Sequence, residues 1–166
     1  MRKSLMLGVV VVVAAVATAV ALGADNPSGF TTTHRAMLTG VPTGSTVEPI
    51  ITVGDTMPGG YRFESIPDGI ALKARGNGRL DVYVNHETST VPFPYNAGAA
   101  VEANQNDFDN SQLSRLALNQ HSGGVLNATM VIESSSNYQR FCSNYLATAA
   151  EGFDRELLFT NEEATD

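Results

Sequence analysis

The sequence predicts an all-β protein built from antiparallel hairpins in a meander, with one short helical insertion. Two observations predict this class. Short segments of strand-like alternation recur after residue 47, and glycine-rich turns join them in pairs, most clearly at residues 76–78 and 123–124. Tight turns connect antiparallel strands, whereas parallel strands need long crossovers, so the pattern favours hairpins over a parallel α/β fold.

The first 24 residues have the pattern of a secretory signal peptide. Arg2 and Lys3 precede an apolar run over residues 5–22, and the small residue Gly23 marks the predicted cleavage position. The run is also close to the minimum length of a membrane span, so a signal anchor that stays in the membrane is the alternative. Both interpretations predict an exported domain, and only the second predicts contact with a membrane.

Charge excludes one class of partner. The chain has 10 basic and 17 acidic residues, a net charge of −7 that becomes −9 when Arg2 and Lys3 leave with residues 1–24. Nucleic-acid binding requires clustered lysine and arginine against the phosphates, so we expect no nucleic-acid partner.

The single cysteine, Cys142, has no partner for an internal disulfide. The favoured interpretation is a small buried hydrophobe. Pairing with a cysteine of a longer parent chain is the alternative.

Composition divides the rest of the chain in two. Residues 25–46 are rich in Thr, Gly, Ser and Pro without any period, and they predict a flexible linker. Residues 47–166 form the predicted β-rich domain. Its first segment, residues 47–53, is only a weak strand candidate because Pro49 cannot donate to a ladder.

The clearest element is a hairpin formed by residues 69–75 and 79–85 around Gly76-Asn77-Gly78. The glycines supply the positive φ angles that a hairpin turn needs. In the second strand Leu80, Val82 and Val84 alternate with polar residues, so we expect these three side chains to be buried on one face.

Three further elements follow. Residues 113–118 and 125–132 predict a second pair of strands. Residues 138–149 predict a short helix, and residues 156–161 predict a last strand that ends beside Glu162 and Glu163. The prediction of a helix depends on one set of apolar residues with helical spacing, which comprises Tyr138, Phe141, Cys142, Tyr145, Leu146 and Ala149.

Polar residues at the ends of two predicted strands are the candidate metal ligands. Asn85 and Glu87 are two positions apart at the end of the best strand and therefore share a face, while His86 continues the apolar face as a hydrogen-bonded histidine. Glu162 and Glu163 end the last predicted strand in the same way. Clustered oxygen donors suit Ca²⁺, whereas the alternatives are a polar loop at the first position and a solvated acidic tail at the second.

Four short motifs resemble the secreted β-propeller proteins related to PhoX-type alkaline phosphatases. They are the PDG turn at residues 67–69, the strand ending in NHE at residues 85–87, the segment 109–118, and the TNEE strand end at residues 160–163. The resemblance covers most of the chain after the predicted linker. It implies that residues 47–166 form the first blades of a propeller, and the chain length predicts an incomplete one.

The resemblance also implies a function. Glutamates at such strand ends line the propeller axis in that family and hold Ca²⁺, with iron beside it in the phosphatases, where a cysteine also binds iron. We therefore expect Glu87 and either Glu162 or Glu163 to converge on one Ca²⁺ site, with Asn85 as a further ligand. The implied activity is metal-dependent hydrolysis of a phosphate ester by a complete propeller, and this chain alone is expected to be inactive. The alternative is a non-catalytic, Ca²⁺-stabilised exported surface or binding protein.

Overall fold

A computed structural model describes residues 28–64, 66–87 and 110–163, and the predicted signal peptide or anchor lies outside them. The all-β prediction is confirmed, because the described residues contain six antiparallel strands and only two single turns of 3-10 helix, Ser134–Ser136 and Ala149–Glu151. No helix among the described residues is long and apolar enough to cross a membrane. The strands are β1 (Pro67–Gly76), β2 (Arg79–His86), β3 (Gln112–Asn119), β4 (Val125–Ile132), β5 (Phe141–Ala147) and β6 (Leu157–Glu162).

Four strands form one antiparallel meander in the order β1-β2-β3-β4. The predicted hairpin is its first half: Leu72 pairs with Val82, and the turn lies between Gly76 and Arg79. Asn77 has a φ of 49° and both flanking glycines have positive φ as well, so the Gly-Asn-Gly sequence meets the backbone requirement of this turn.

The core lies on one face of this sheet. Val84, Leu116 and Val125 are buried there against Met57 and Phe63, which come from the segment that precedes β1. Leu80 and Val82 are half-buried and pack against the same cluster, so the predicted apolar face of β2 is the face that contacts the core.

The segment over residues 28–64 covers the core without forming a regular strand. Phe30 makes an isolated bridge with Val125, and the backbone N–H of Thr32 donates to the carbonyl of Ile50. Residues 47–53 therefore pack on the sheet as an irregular segment. The absent N–H of Pro49 is consistent with this, because proline cannot donate to a ladder.

The opposite face of the sheet holds a buried carboxylate. Asp81 is almost fully buried, and its carboxylate lies between two guanidinium groups. Arg115 approaches it with Nη2 3.0 Å from Oδ1 and Nε 2.9 Å from Oδ2, and Arg75 Nε lies 3.3 Å from Oδ2. A buried carboxylate needs such partners, and the two arginines offset the cost of burying it.

The helix predicted over residues 138–149 is wrong, because residues 141–147 form β5. Cys142 and Leu146 are half-buried, whereas the intervening Ser143 and Tyr145 are exposed, which is a period of two. Phe141 to Ala147 pair with β6, and that pairing supplies the backbone hydrogen bonds that a helix would have provided locally. Phe, Cys and Tyr fit a β-strand at least as well as a helix, so the pairing with β6 determines the secondary structure of this segment.

Strands β5 and β6 form a second, two-stranded sheet whose strand β5 packs against β1 and β2. The described strands form these two sheets and do not close into a propeller. The packing of β5 on β1 brings the first residues of both strands to the end of β2, where the candidate site lies.

Candidate metal centre

Three side chains with metal-binding atoms converge at one end of the sheet. One ligand atom from each of Asp68, Glu87 and Cys142 lies within 4.8 Å of the others. Asp68 is the second residue of β1, Glu87 follows the last residue of β2, and Cys142 is the second residue of β5. The cluster is thus assembled by one hairpin and by a strand from a distant part of the chain.

The hairpin itself aligns the two carboxylates. Pro67 pairs with His86, so the start of β1 lies beside the end of β2. Ile66 and Glu87 extend this pairing by exchanging two backbone hydrogen bonds of 3.1 and 3.0 Å. The backbone of Glu87 is therefore fixed although the residue lies outside the strand.

A third carboxylate lies near the same sulfur. The Cys142 thiol donates to Oε1 of Glu87 at 2.6 Å, and the Glu163 carboxylate is close enough to raise the pKa of the thiol. Glu163 is held beside the start of β5 because its N–H donates to the carbonyl of Arg140 at 2.8 Å. Glu87 and Glu163 thus both lie near one thiol.

The thiol keeps its proton more tightly than a free cysteine does. Burial raises the pKa of Cys142 above its ordinary value of 9.0, and hydrogen bonds and repulsion from the Glu163 and Glu87 carboxylates raise this pKa further. A thiolate there would place a further negative charge beside these carboxylates. A cation that replaced the proton would remove this penalty, because it would attract the thiolate and the carboxylates.

The other predicted ligands have different contacts. Glu162 accepts a hydrogen bond from the backbone N–H of Gln139 through its carboxylate. Asn85 is fully buried, and its Oδ1 accepts from Asn144 Nδ2 at 3.2 Å and from Thr160 Oγ1 at 3.0 Å. The oxygen that Asn85 would offer to a metal is therefore engaged within the protein.

His86 has the role that the sequence predicts. It is fully buried, its Nδ1 lies 2.9 Å from the carbonyl oxygen of Glu64, and its Nε2 lies 2.7 Å from Ser114 Oγ. Phe63 packs edge-on against the ring. Burial lowers the pKa of His86 from 6.5 to about 4, so the ring is neutral at physiological pH and both of its nitrogens are occupied.

Sequence reasoning missed Asp68 and misjudged Cys142. The favoured interpretation of Cys142 as a small buried hydrophobe is wrong, because the residue is only half-buried and its thiol donates a hydrogen bond to Glu87. Asp68 lies in an irregularity of the β1–β2 pairing between Pro67 and Ile70, so extending the hairpin outward from its turn would not have placed it beside Glu87. No local signal was available for Cys142 either.

The donor set combines carboxylates with one thiol. Ca²⁺ takes oxygen ligands, whereas a cysteine sulfur favours zinc or iron. The prediction of Ca²⁺ assumed that every candidate ligand was an oxygen, and the position of Cys142 changes that assumption.

No protein-family model, no curated protein and no solved structure matches this chain. The resemblance to the PhoX-type proteins therefore rests on its four short motifs.

Proposed function

We propose that this chain supplies the first ligands of the metal centre of an exported, propeller-like phosphate-ester hydrolase. The ligands in this proposal are Asp68, Glu87, Cys142 and Glu163. The observation that carries it is the convergence of Asp68, Glu87 and Cys142, whose ligand atoms lie within 4.8 Å of one another, with Glu163 close enough to raise the pKa of the same thiol. Iron or zinc is the proposed metal at the sulfur, and Ca²⁺ remains the candidate where oxygen ligands alone are available.

The four ligands follow a repeat, which supports the propeller part of the proposal. Asp68 and Cys142 are the second residues of β1 and β5, the first strands of the two sheets. Glu87 and Glu163 directly follow β2 and β6, the second strands. The backbone N–H of each glutamate also donates a hydrogen bond to the carbonyl of the residue that precedes the first strand, which is Ile66 in one sheet and Arg140 in the other.

The order of the strands supports the same interpretation. A propeller blade is a four-stranded antiparallel sheet, and the first strand of the next blade lies again beside the central axis of the propeller. Here a four-stranded meander is followed by β5, which returns to pack on β1, and then by β6. We propose that β1–β4 form one blade and β5–β6 the first half of the next, with the ligands at the central end.

Metal ions at such a site neutralise phosphoryl oxygens and activate water. In this chain, Asp68, Glu87 and Glu163 would provide the oxygen ligands, and the backbone pairing of the start of β1 with the end of β2 fixes two of them relative to each other. Cys142 would lose its proton to solvent in order to bind a metal through sulfur.

Metal titration of the purified chain tests the proposal. We expect Co²⁺, a spectroscopic substitute for iron or zinc, to bind with a sulfur-to-metal charge-transfer band that is absent from Cys142→Ser. Because the raised pKa keeps the thiol protonated, binding releases a proton, and the affinity should rise about tenfold per pH unit between pH 6 and 8. Inorganic phosphate added to the Co²⁺-loaded chain should shift the band.

Adjacent glutamates provide the matched control. Glu163→Gln should weaken Co²⁺ binding, whereas Glu162→Gln removes the same charge one residue away and should leave the affinity nearly unchanged. Binding of neither Co²⁺ nor Ca²⁺ would contradict the proposal. Binding of Ca²⁺ alone, unaffected by Cys142→Ser and by phosphate, would instead support a Ca²⁺-stabilised, non-catalytic protein.

A further inference from the structure

We infer that a buried cluster of hydrogen bonds, here called the amide lock, positions the metal ligands by holding the β5–β6 hairpin on β1 and β2. The lock consists of Gly69, Asn85, Asn144 and Thr160, and none of these is itself among the four proposed ligands. The inference rests on the proposed metal centre, and it assigns these residues a positioning role in that centre.

Asn144 is the centre of the lock. Its Nδ2 lies 2.8 Å from the carbonyl oxygen of Gly69, 3.3 Å from that of Tyr83 and 3.2 Å from Oδ1 of Asn85. Thr160 Oγ1 donates to the same Oδ1 at 3.0 Å. A single amide group of β5 therefore contacts β1 and β2, and β6 is joined to β2 through the fully buried Asn85.

Gly69 allows this approach. A Cβ atom at this position would lie 2.6 Å from the backbone nitrogen of Asn144, 2.7 Å from the carbonyl oxygen of Cys142 and 2.8 Å from the carbonyl carbon of Ser143. Backbone atoms cannot yield as a flexible side chain can. Any other residue would push β5 away from β1, so only glycine permits the observed contact.

Every member of the lock is close in sequence to a ligand. Gly69 follows Asp68, Asn85 precedes Glu87 by two positions, Asn144 follows Cys142 by two, and Thr160 precedes Glu163 by three. The β5–β6 pair is a sheet separate from β1–β4, so no ladder between β5 and β1 sets its register. A slip of one residue would move β5 by about 3.3 Å and turn Cys142 to the other face.

The amide lock includes buried polar atoms that reduce its contribution to the stability of the fold. Nδ2 of Asn85 and Oδ1 of Asn144 are buried and have no hydrogen-bond partner among the described residues. Unpaired buried polar atoms are costly, and an apolar contact would avoid that cost. The two N–H groups of Asn144 face three acceptors on β1 and β2, and this directional contact defines a single position for β5, which is what a metal site assembled from separate sheets requires.

The test compares two asparagines on the same hairpin. Asn144→Ala removes the lock, whereas Asn161→Ala removes an exposed amide that contacts only Ser143 Oγ in the hydrogen bonds of the described residues. We expect Asn144→Ala to weaken Co²⁺ binding by about 10- to 100-fold and to reduce the charge-transfer band at saturation. Asn161→Ala should leave both unchanged, and the milder Thr160→Val should have an intermediate effect in a folded chain.

A metal-free measurement separates this inference from the proposed function. In the wild-type chain the Cys142 thiol donates to Glu87, and alkylation of this thiol should accelerate several-fold in Asn144→Ala but not in Asn161→Ala. Accelerated alkylation in a chain that binds no metal would support the lock and contradict the metal centre. Wild-type alkylation rates, together with an unchanged Co²⁺ response in Asn144→Ala and Thr160→Val, would overturn the lock.

Discussion

Val84→Asp is expected to unfold the domain at room temperature. Val84 is 3% exposed and packs in the main cluster with Leu116 and Phe63. An unpaired carboxylate there costs several kcal/mol in addition to the lost packing, which is comparable to the whole stability of a small domain. The measurement is far-UV circular dichroism with urea unfolding, and we expect no cooperative transition for this variant.

The cross-strand neighbour of Val84 is the control. Ile70 pairs directly with Val84 across β1 and β2, yet it is 60% exposed. Ile70→Asp should therefore change the free energy of unfolding by less than about 1 kcal/mol. Val82→Asp should fall between the two, because Val82 is half-buried. A urea midpoint for Val84→Asp equal to that of the wild type would contradict the assigned core.

Acid is expected to destabilise the metal-free protein through His86. The pKa of this residue is lowered from 6.5 to about 4 by burial, so the folded state favours the neutral ring. The stabilisation is complete above pH 6.5 and is lost as the pH falls from 6.5 to 4. The full effect is about 3 kcal/mol, an order-of-magnitude figure from the size of the shift.

Urea unfolding of the wild type and of His86→Gln at pH 7 and pH 4.5, with a chelator present, isolates this effect. The carboxylates are the same in both proteins, so the difference between the two proteins reports the histidine ring. We expect the wild type to lose about 2.5 kcal/mol more than the variant does. Equal losses would show that the buried histidine does not control acid stability.

The sequence predicted features that depend on neighbours in the chain. The Gly76–Gly78 turn and the alternation through Leu80 and Val84 are local, so the hairpin and its buried face follow directly from them. The buried, hydrogen-bonded His86 follows from the same alternation. These are the features for which local preference and tertiary packing agree.

Features that depend on distant pairing could not be predicted. The stripe from Tyr138 to Ala149 has helical spacing, yet β6 provides a partner that favours a strand over residues 141–147. Cys142 was consequently placed on a helix instead of beside Glu87. The choice between Glu162 and Glu163 also depends on register, because adjacent residues of a strand point to opposite faces and only the paired structure shows which of them reaches the thiol.

Anomalous diffraction from crystals of the chain grown with Co²⁺ tests most directly whether Cys142 and the carboxylates bind one metal. We expect an anomalous peak about 2.3 Å from Cys142 Sγ, with carboxylate oxygens of Asp68 and Glu87 at about 2.0–2.2 Å, distances typical of a metal bound by sulfur and oxygen. A map with no anomalous peak within bonding distance of that sulfur, in crystals of the folded chain at saturating Co²⁺, would contradict this expectation.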